Sequence, residues 1–184
     1  ALALAADPRA RGLGVLISFG GVVRPPLGTT KLGGDEIFGG SEPLGTVQRS
    51  GFTMSTARQR PYLGPVASVP RVDIVAAYPG ADDTAVAAFV AAGAQGLVLE
   101  AVGAGNAGRP IVAAVERACA NGVVVVVSTR VPDSQVAANY GPGHDLAKAG
   151  AVMLPGLRAS QARVLLTAAL GARLPITDVI ARLS

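Results

Sequence analysis

With Cys119 as its only cysteine, the chain cannot form an internal disulfide, and its cysteine content leaves the redox compartment open. Tryptophan is absent, and there are only three tyrosines and four phenylalanines, so little aromatic surface is offered for stacking nucleic-acid bases. The arginines are scattered from Arg9 to Arg182, and the net charge of +4 is not concentrated in any strongly basic stretch. A nucleic-acid partner is therefore not expected, although a mild positive field favours small anionic ligands. Gly, Pro or Arg interrupts every apolar run before it reaches the roughly 18 residues of a membrane span, so no membrane partner is expected either. The opening Ala1-Leu2-Ala3-Leu4-Ala5-Ala6 lacks a basic leading region and a start methionine. It does not read as a signal peptide, and a chain starting this way looks processed, excerpted or truncated. The single histidine, His144, has no second ligand-type residue at metal spacing, so it reads as a loop or helix-entry residue and no metal is expected.

What the sequence does contain is apolar residues, 50% of the total against 15% charged, enough for one good core or for one domain and a fragment of a second. Residues 1–12 read as the tail of an Ala/Leu helix broken at Asp7-Pro8, because proline disfavours helical geometry in the residue before it. Gly14 to Phe19 reads as a short strand, and Gly20-Gly21 as a hairpin turn into Val22-Val23. From Arg24 to Pro70 the chain is rich in Gly, Pro, Ser and Thr, which excludes long helices. The segment reads as an interdomain connection with short strands such as Thr46 to Gln48.

After Pro70 the pattern becomes regular. Val72 to Tyr78 reads as a strand, followed by a helix capped by Asp82 or Asp83, with Val86, Phe89 and Val90 on one stripe and Gly93 at its end. A second strand, Leu97 to Val102, leads into Gly103-Ala104-Gly105-Asn106 and a helix that opens at Pro110 and stops at Asn121-Gly122. Cys119 falls on the apolar side of that helix with Ile111, Val112 and Val115, and reads as a small core residue rather than a nucleophile. Val123 to Val127 form a strand without a wet face, as expected in the middle of a parallel sheet covered on both sides. A polar loop then reaches Tyr140-Gly141-Pro142-Gly143, followed by a helix near 145–149, a strand at 151–154, and helices near 160–170 and 176–183. Strands alternating with helices predict an α/β domain: a doubly wound, three-layer parallel sheet of Rossmann or flavodoxin type, preceded by a partial hairpin and a linker.

The turn after the second strand lies where open α/β sheets bind ligands. Gly103, Gly105 and Gly108 match Gly-x-Gly-x-x-Gly, and Arg130 stands where an NADP enzyme holds the 2′-phosphate. Against a nucleotide site, the motif follows a complete strand and helix instead of the first strand, and the acidic residue expected about 20 positions later is absent. Another possibility is that the glycines only shape a tight turn, with Asn106 serving it or capping the helix.

A third reading comes from resemblance. Arg71-Val72-Asp73-Ile74, Tyr78-Pro79-Gly80-Ala81-Asp82-Asp83, Gly96-Leu97-Val98-Leu99 leading into Gly103-Ala104-Gly105-Asn106, Ser128-Thr129-Arg130-Val131-Pro132 and Gln161-Ala162-Arg163-Val164-Leu165-Leu166 occur in an order and spacing similar to those of bacterial L-asparaginases. Thr30-Lys31-Leu32 and Pro43-Leu44-Gly45 resemble the interdomain segment of the same family, somewhat shortened. The resemblance implies that residues 1–23 end a larger amino-terminal domain, that 24–69 connect, and that 70–184 form the smaller carboxy-terminal domain.

It also implies hydrolysis of the side-chain amide of asparagine, and less often of glutamine, through an acyl-threonine intermediate and without a cofactor. The threonines, aspartate and lysine of that chemistry belong to motifs of the amino-terminal domain that have no match here. Thr29, Thr30 and Thr84 lack the flanking residues, and Lys31 and Lys148 lie in the wrong context, so no catalytic residue is assigned. The family's carboxy-terminal domain contributes to a neighbouring subunit's site, which gives Asn106 a substrate-binding role in trans, with Gly103 and Gly105 shaping its turn. Some relatives add a carboxylate from the following loop, where only Asp133 is present and out of place. The resemblance further implies a homotetramer built from tight dimers. A cytoplasmic location is expected, with the periplasm or export also compatible. The alternative from a different class is a non-catalytic α/β binding or interaction module.

Overall fold

The computed structural model describes residues 1–57, 62–131, 134–138 and 141–183, and the chain divides into two compact units, Ala1–Tyr62 and Leu63–Ser184.

In the first unit, helix α1 (Leu2–Ala6) stops at Asp7, and a short 3-10 helix, Pro8–Ala10, follows. Strands β1 (Ile17–Phe19) and β2 (Val22–Arg24) form the expected hairpin. Gly20 and Gly21 both take positive φ, +56° and +79°, as the tight turns whose twist matches a hairpin require. Two further strands pair with each other, β3 (Thr30–Lys31) and β4 (Phe38–Gly39). Strands β5 (Gly45–Gln48) and β6 (Gly51–Met54) extend the hairpin into a sheet ordered β1-β2-β5-β6. Leu4, Leu13, Val23 and Phe52 form its small core. The segment that reads in sequence as a connection thus carries strands, two of which complete this sheet.

The second unit is built on four parallel strands, β7 (Val72–Ala76), β8 (Gly96–Ala101), β9 (Val124–Thr129) and β10 (Val152–Met153), in the order β10-β9-β8-β7. Helices α2 (Thr84–Ala91), α3 (Arg109–Ala120) and α4 (Gly141–Lys148) make the crossovers, and α5 (Ala159–Gly171) and α6 (Ile176–Ala181) follow β10. Alternation along the strands divides the core. Leu97, Leu99, Ala101, Val125 and Val127 pack against α2, α3 and α4, whereas Val72, Val98 and Val126 pack against α5 and α6. This is the expected three-layer α/β fold, and the valine run is buried because helices cover both of its faces. Each fully buried Val or Leu contributes about 1.5–3 kcal/mol.

The helix boundaries follow local chemistry. Asp82, not Asp83, accepts the Thr84 N–H at 3.0 Å at the start of α2, while Asp83 pairs with Arg117 across to α3. Helix α4 begins at Gly141, about four residues before the sequence pattern becomes helical, because a proline in the first turn has no hydrogen bond to lose. His144 is exposed in that first turn, and Cys119 is half-buried against the α3 side of the core. No helix among the described residues is long and apolar enough to cross a membrane.

Candidate functional site

Strand order is consecutive, so no reversal creates a crevice in this sheet. The candidate site instead rests on the turn at the carboxyl end of β8. There the chain folds back sharply: the Val102 N–H donates to the Asn106 carbonyl at 3.0 Å, and the Gly105 and Asn106 N–H groups donate to the Val102 carbonyl at 3.1 and 2.9 Å. Gly103 and Gly105 make the reversal possible, at φ +53° and +108°. These are conformations that side chains rarely tolerate, so the backbone itself requires the glycines, although a Cβ at either position would meet nothing closer than 3.5 Å.

The neighbouring strand holds this turn. Thr129 pairs with Ala101 in the parallel register and is 8% exposed. Its hydroxyl donates to the Gly103 carbonyl at 2.6 Å and accepts the Val131 N–H at 3.1 Å. The segment after β9 lies over the turn: the Ala137 N–H donates to the Ala104 carbonyl at 3.0 Å, and Val136 and Met153 flank Gly105. The first turn of α4 closes in from another side, where a Cβ on Gly143 would stand 2.9 Å from the Ala137 carbonyl oxygen and 3.7 Å from Asn106 Oδ1.

Asn106 emerges from this frame half-buried, and its carboxamide makes no hydrogen bond to any described residue. Gly103, Gly105 and Asn106, the three residues singled out from sequence, are therefore gathered in one hydrogen-bonded turn. Beside it opens a pocket of about 370 Å³ whose lining includes Tyr78, Asp82, Val102, Gly108 and Pro110. The Thr84 N–H holds the Asp82 carboxyl below the ordinary carboxylate range.

A dinucleotide fits this turn poorly. A glycine-rich phosphate loop works by aiming backbone N–H groups outward at the anion. Here the Gly105 and Asn106 N–H groups are both turned inward to Val102. Within each unit, the described threonines and lysines weighed from sequence serve local structure. Thr29 is buried, donating to the Pro25 carbonyl at 2.5 Å and lying 2.6 Å from Ser41 Oγ, and Thr30 and Lys31 make up β3. Thr84 opens α2, whereas Lys148 closes α4 at the other end of the helix layer. Among the described residues no three His, Cys, Asp or Glu side chains are grouped to hold a metal ion. Pro132, Asp133 and Tyr140 lie outside the described residues.

Thr129 has no assigned role in the sequence reading beyond its place in a motif. The signal that marks it is a pair of buried hydroxyls, Ser128 and Thr129, closing a strand that opens on four valines, where a bare packing role calls for further aliphatic side chains.

Comparison with known proteins gives the family. Residues 71–181 match the model of the glutaminase/asparaginase C-terminal domain. An L-asparaginase of Bacillus licheniformis is 34% identical over 99 residues, 52% of this chain and 31% of that protein. A probable periplasmic L-asparaginase of Haemophilus influenzae is 31% identical over 181 residues, 92% of this chain and 51% of that protein. The chain thus spans at most about half the length of these curated relatives. With well over half of its residues matched by the family model, the chain belongs to the glutaminase/asparaginase family through its C-terminal domain.

Proposed function

We propose that the chain supplies the carboxy-terminal domain of an L-asparagine amidohydrolase, which converts asparagine to aspartate and ammonia. In this reading Asn106 reaches a neighbouring subunit's site and holds the ammonium and carboxylate end of the substrate. The threonine that attacks the amide carbon, and the groups that activate it, come from an amino-terminal domain. The observation that carries the reading is the carboxamide of Asn106, without a hydrogen bond among the described residues and projecting from a turn whose backbone is tied down. A carboxamide offers both an acceptor and two donors, so it complements an ammonium and a carboxylate at once. Its contribution is capture and orientation, which raise the effective concentration of the amide at the nucleophile.

In this reading residues 1–23 end the larger amino-terminal domain, 24–69 connect the domains while lending strands β5 and β6 to the sheet of β1 and β2, and 70–184 form the smaller domain. The site is shared between subunits of a tetramer built as a dimer of dimers, in the cytoplasm. Because the sequence from Val131 to Tyr140 offers Asp133 as its one carboxylate, out of the family's position, glutamine is discriminated from asparagine less sharply than in relatives that have one in place.

Ammonia release tests the reading. The 184-residue chain by itself should liberate none from asparagine, and joining it to a threonine-bearing amino-terminal half should restore hydrolysis. Robust turnover by the chain alone would overturn this and return attention to Thr29 and Thr30.

A further inference from the structure

Two glycines at positive φ make the 103–106 turn a backbone without intrinsic stiffness, since glycine gives up more conformational freedom on ordering than any other residue. Something else must fix where Asn106 points. The bonds from Val102 close the turn on itself but do not tie it to the rest of the domain, and the Ala137 N–H bond to the Ala104 carbonyl at 3.0 Å ties it to the covering segment. The link to the sheet is Thr129, whose buried hydroxyl donates to the Gly103 carbonyl at 2.6 Å. Ser134 adds a longer contact to the same oxygen at 3.4 Å. The Thr129 oxygen also accepts the Val131 N–H, so one hydroxyl fastens both the Asn106 turn and the start of the segment that covers it.

We propose that Thr129 is a positioning residue for Asn106. Its hydroxyl anchors Gly103, and through Gly103 it sets the direction of the carboxamide against the first turn of α4. The proposal rests on the reading of Asn106 as a substrate-binding residue for its purpose, but its geometry is testable without substrate. Valine would match threonine in shape and would suit a buried strand end as well as the valines earlier in β9. Its absence at this position marks a demand for the hydroxyl. A buried hydroxyl costs free energy unless its bonds are satisfied, and here it both donates and accepts.

The test compares Thr129→Val and Thr129→Ser in the 184-residue chain by NMR. In Thr129→Val, amide exchange at Gly105 and Asn106 should accelerate about five- to tenfold, the factor that accompanies loss of one hydrogen bond. The side-chain amide signals of Asn106 should shift, while protection in α5, on the opposite face of the sheet, is kept. Thr129→Ser should restore the wild-type Asn106 signals. Unchanged Asn106 signals in Thr129→Val would overturn the proposal. So would loss of α5 protection or of folding, because the hydroxyl would then be a general structural support. The ammonia assay fails separately: if the chain joined to a threonine-bearing amino-terminal half shows no asparagine hydrolysis but the NMR result holds, the role of Asn106 falls and its positioning by Thr129 stands.

Discussion

Asp7 reaches across the first unit to Phe52: its Oδ2 accepts the Phe52 N–H at 2.8 Å, joining the end of α1 to β6. The same carboxylate accepts the Arg9 guanidinium at 2.6–2.8 Å and the Arg9 N–H at 3.0 Å. The Arg9 side chain first, then the Phe52 N–H, hold the Asp7 carboxyl well below the ordinary carboxylate range.

A pH dependence follows from that lowered value. Unfolded Asp7 binds its proton more readily than folded Asp7, so stability rises with pH. The contribution is complete above the ordinary value of 3.8 and is lost progressively as pH falls through the folded value. Protection of the Phe52 amide, measured against the unfolded exchange rate at the same pH, should therefore fall as the solution is acidified below the ordinary range, and Asp7→Asn should flatten this response. An Asp7→Asn variant with the wild-type pH profile would contradict the assignment.

Gly171 ends α5 where the chain from the start of the second unit crosses it. A Cβ there would lie 2.5 Å from the Ser68 carbonyl oxygen and 2.7 Å from Val66 Cγ1. Because one of those atoms is backbone, the clash cannot be relieved by a rotamer change. Gly171→Ala should destabilise the second unit by about 1–3 kcal/mol, the usual cost of overpacking. Urea denaturation followed by far-ultraviolet circular dichroism would measure it, and an unchanged midpoint would refute the close approach.

Cys119 lies half-buried on α3, beside Gly150, and burial pushes its thiol upward from the ordinary value. The thiolate is the reactive form, so alkylation at neutral pH should be slower than for an exposed cysteine. Timed iodoacetamide labelling read by mass spectrometry, with glutathione as reference, checks this. Labelling as fast as glutathione would contradict it.

Much of this fold is legible because it is written in local patterns. The Gly20-Gly21 hairpin, the Val123–Val127 run and the 86-89-90 stripe each point to an element through periodicity or turn chemistry, and each forms close to its expected place. What sequence does not reveal depends on contacts distant in the chain. The start of α4 at Gly141 lies in a Gly-Pro-Gly stretch that resembles a loop, and it is shaped by close packing on Ala137. The joining of β5 to β2 pairs segments with no shared periodicity. At the site, Gly103, Gly105 and Asn106 stand out as a motif, whereas the 2.6 Å bond from Thr129 spans 26 positions and has no local signature. The inward direction of the turn's N–H groups, which separates it from a nucleotide loop, is likewise visible only in three dimensions.

The most direct test of the central claim is the kinetics of Asn106→Ala in the assembly that pairs this chain with a threonine-bearing amino-terminal half. Loss of the carboxamide should lower kcat/KM for asparagine by about 1–3 kcal/mol, roughly 5- to 150-fold, mainly through KM. Kinetics indistinguishable from wild type would contradict the account and leave Asn106 as a maker of the turn alone.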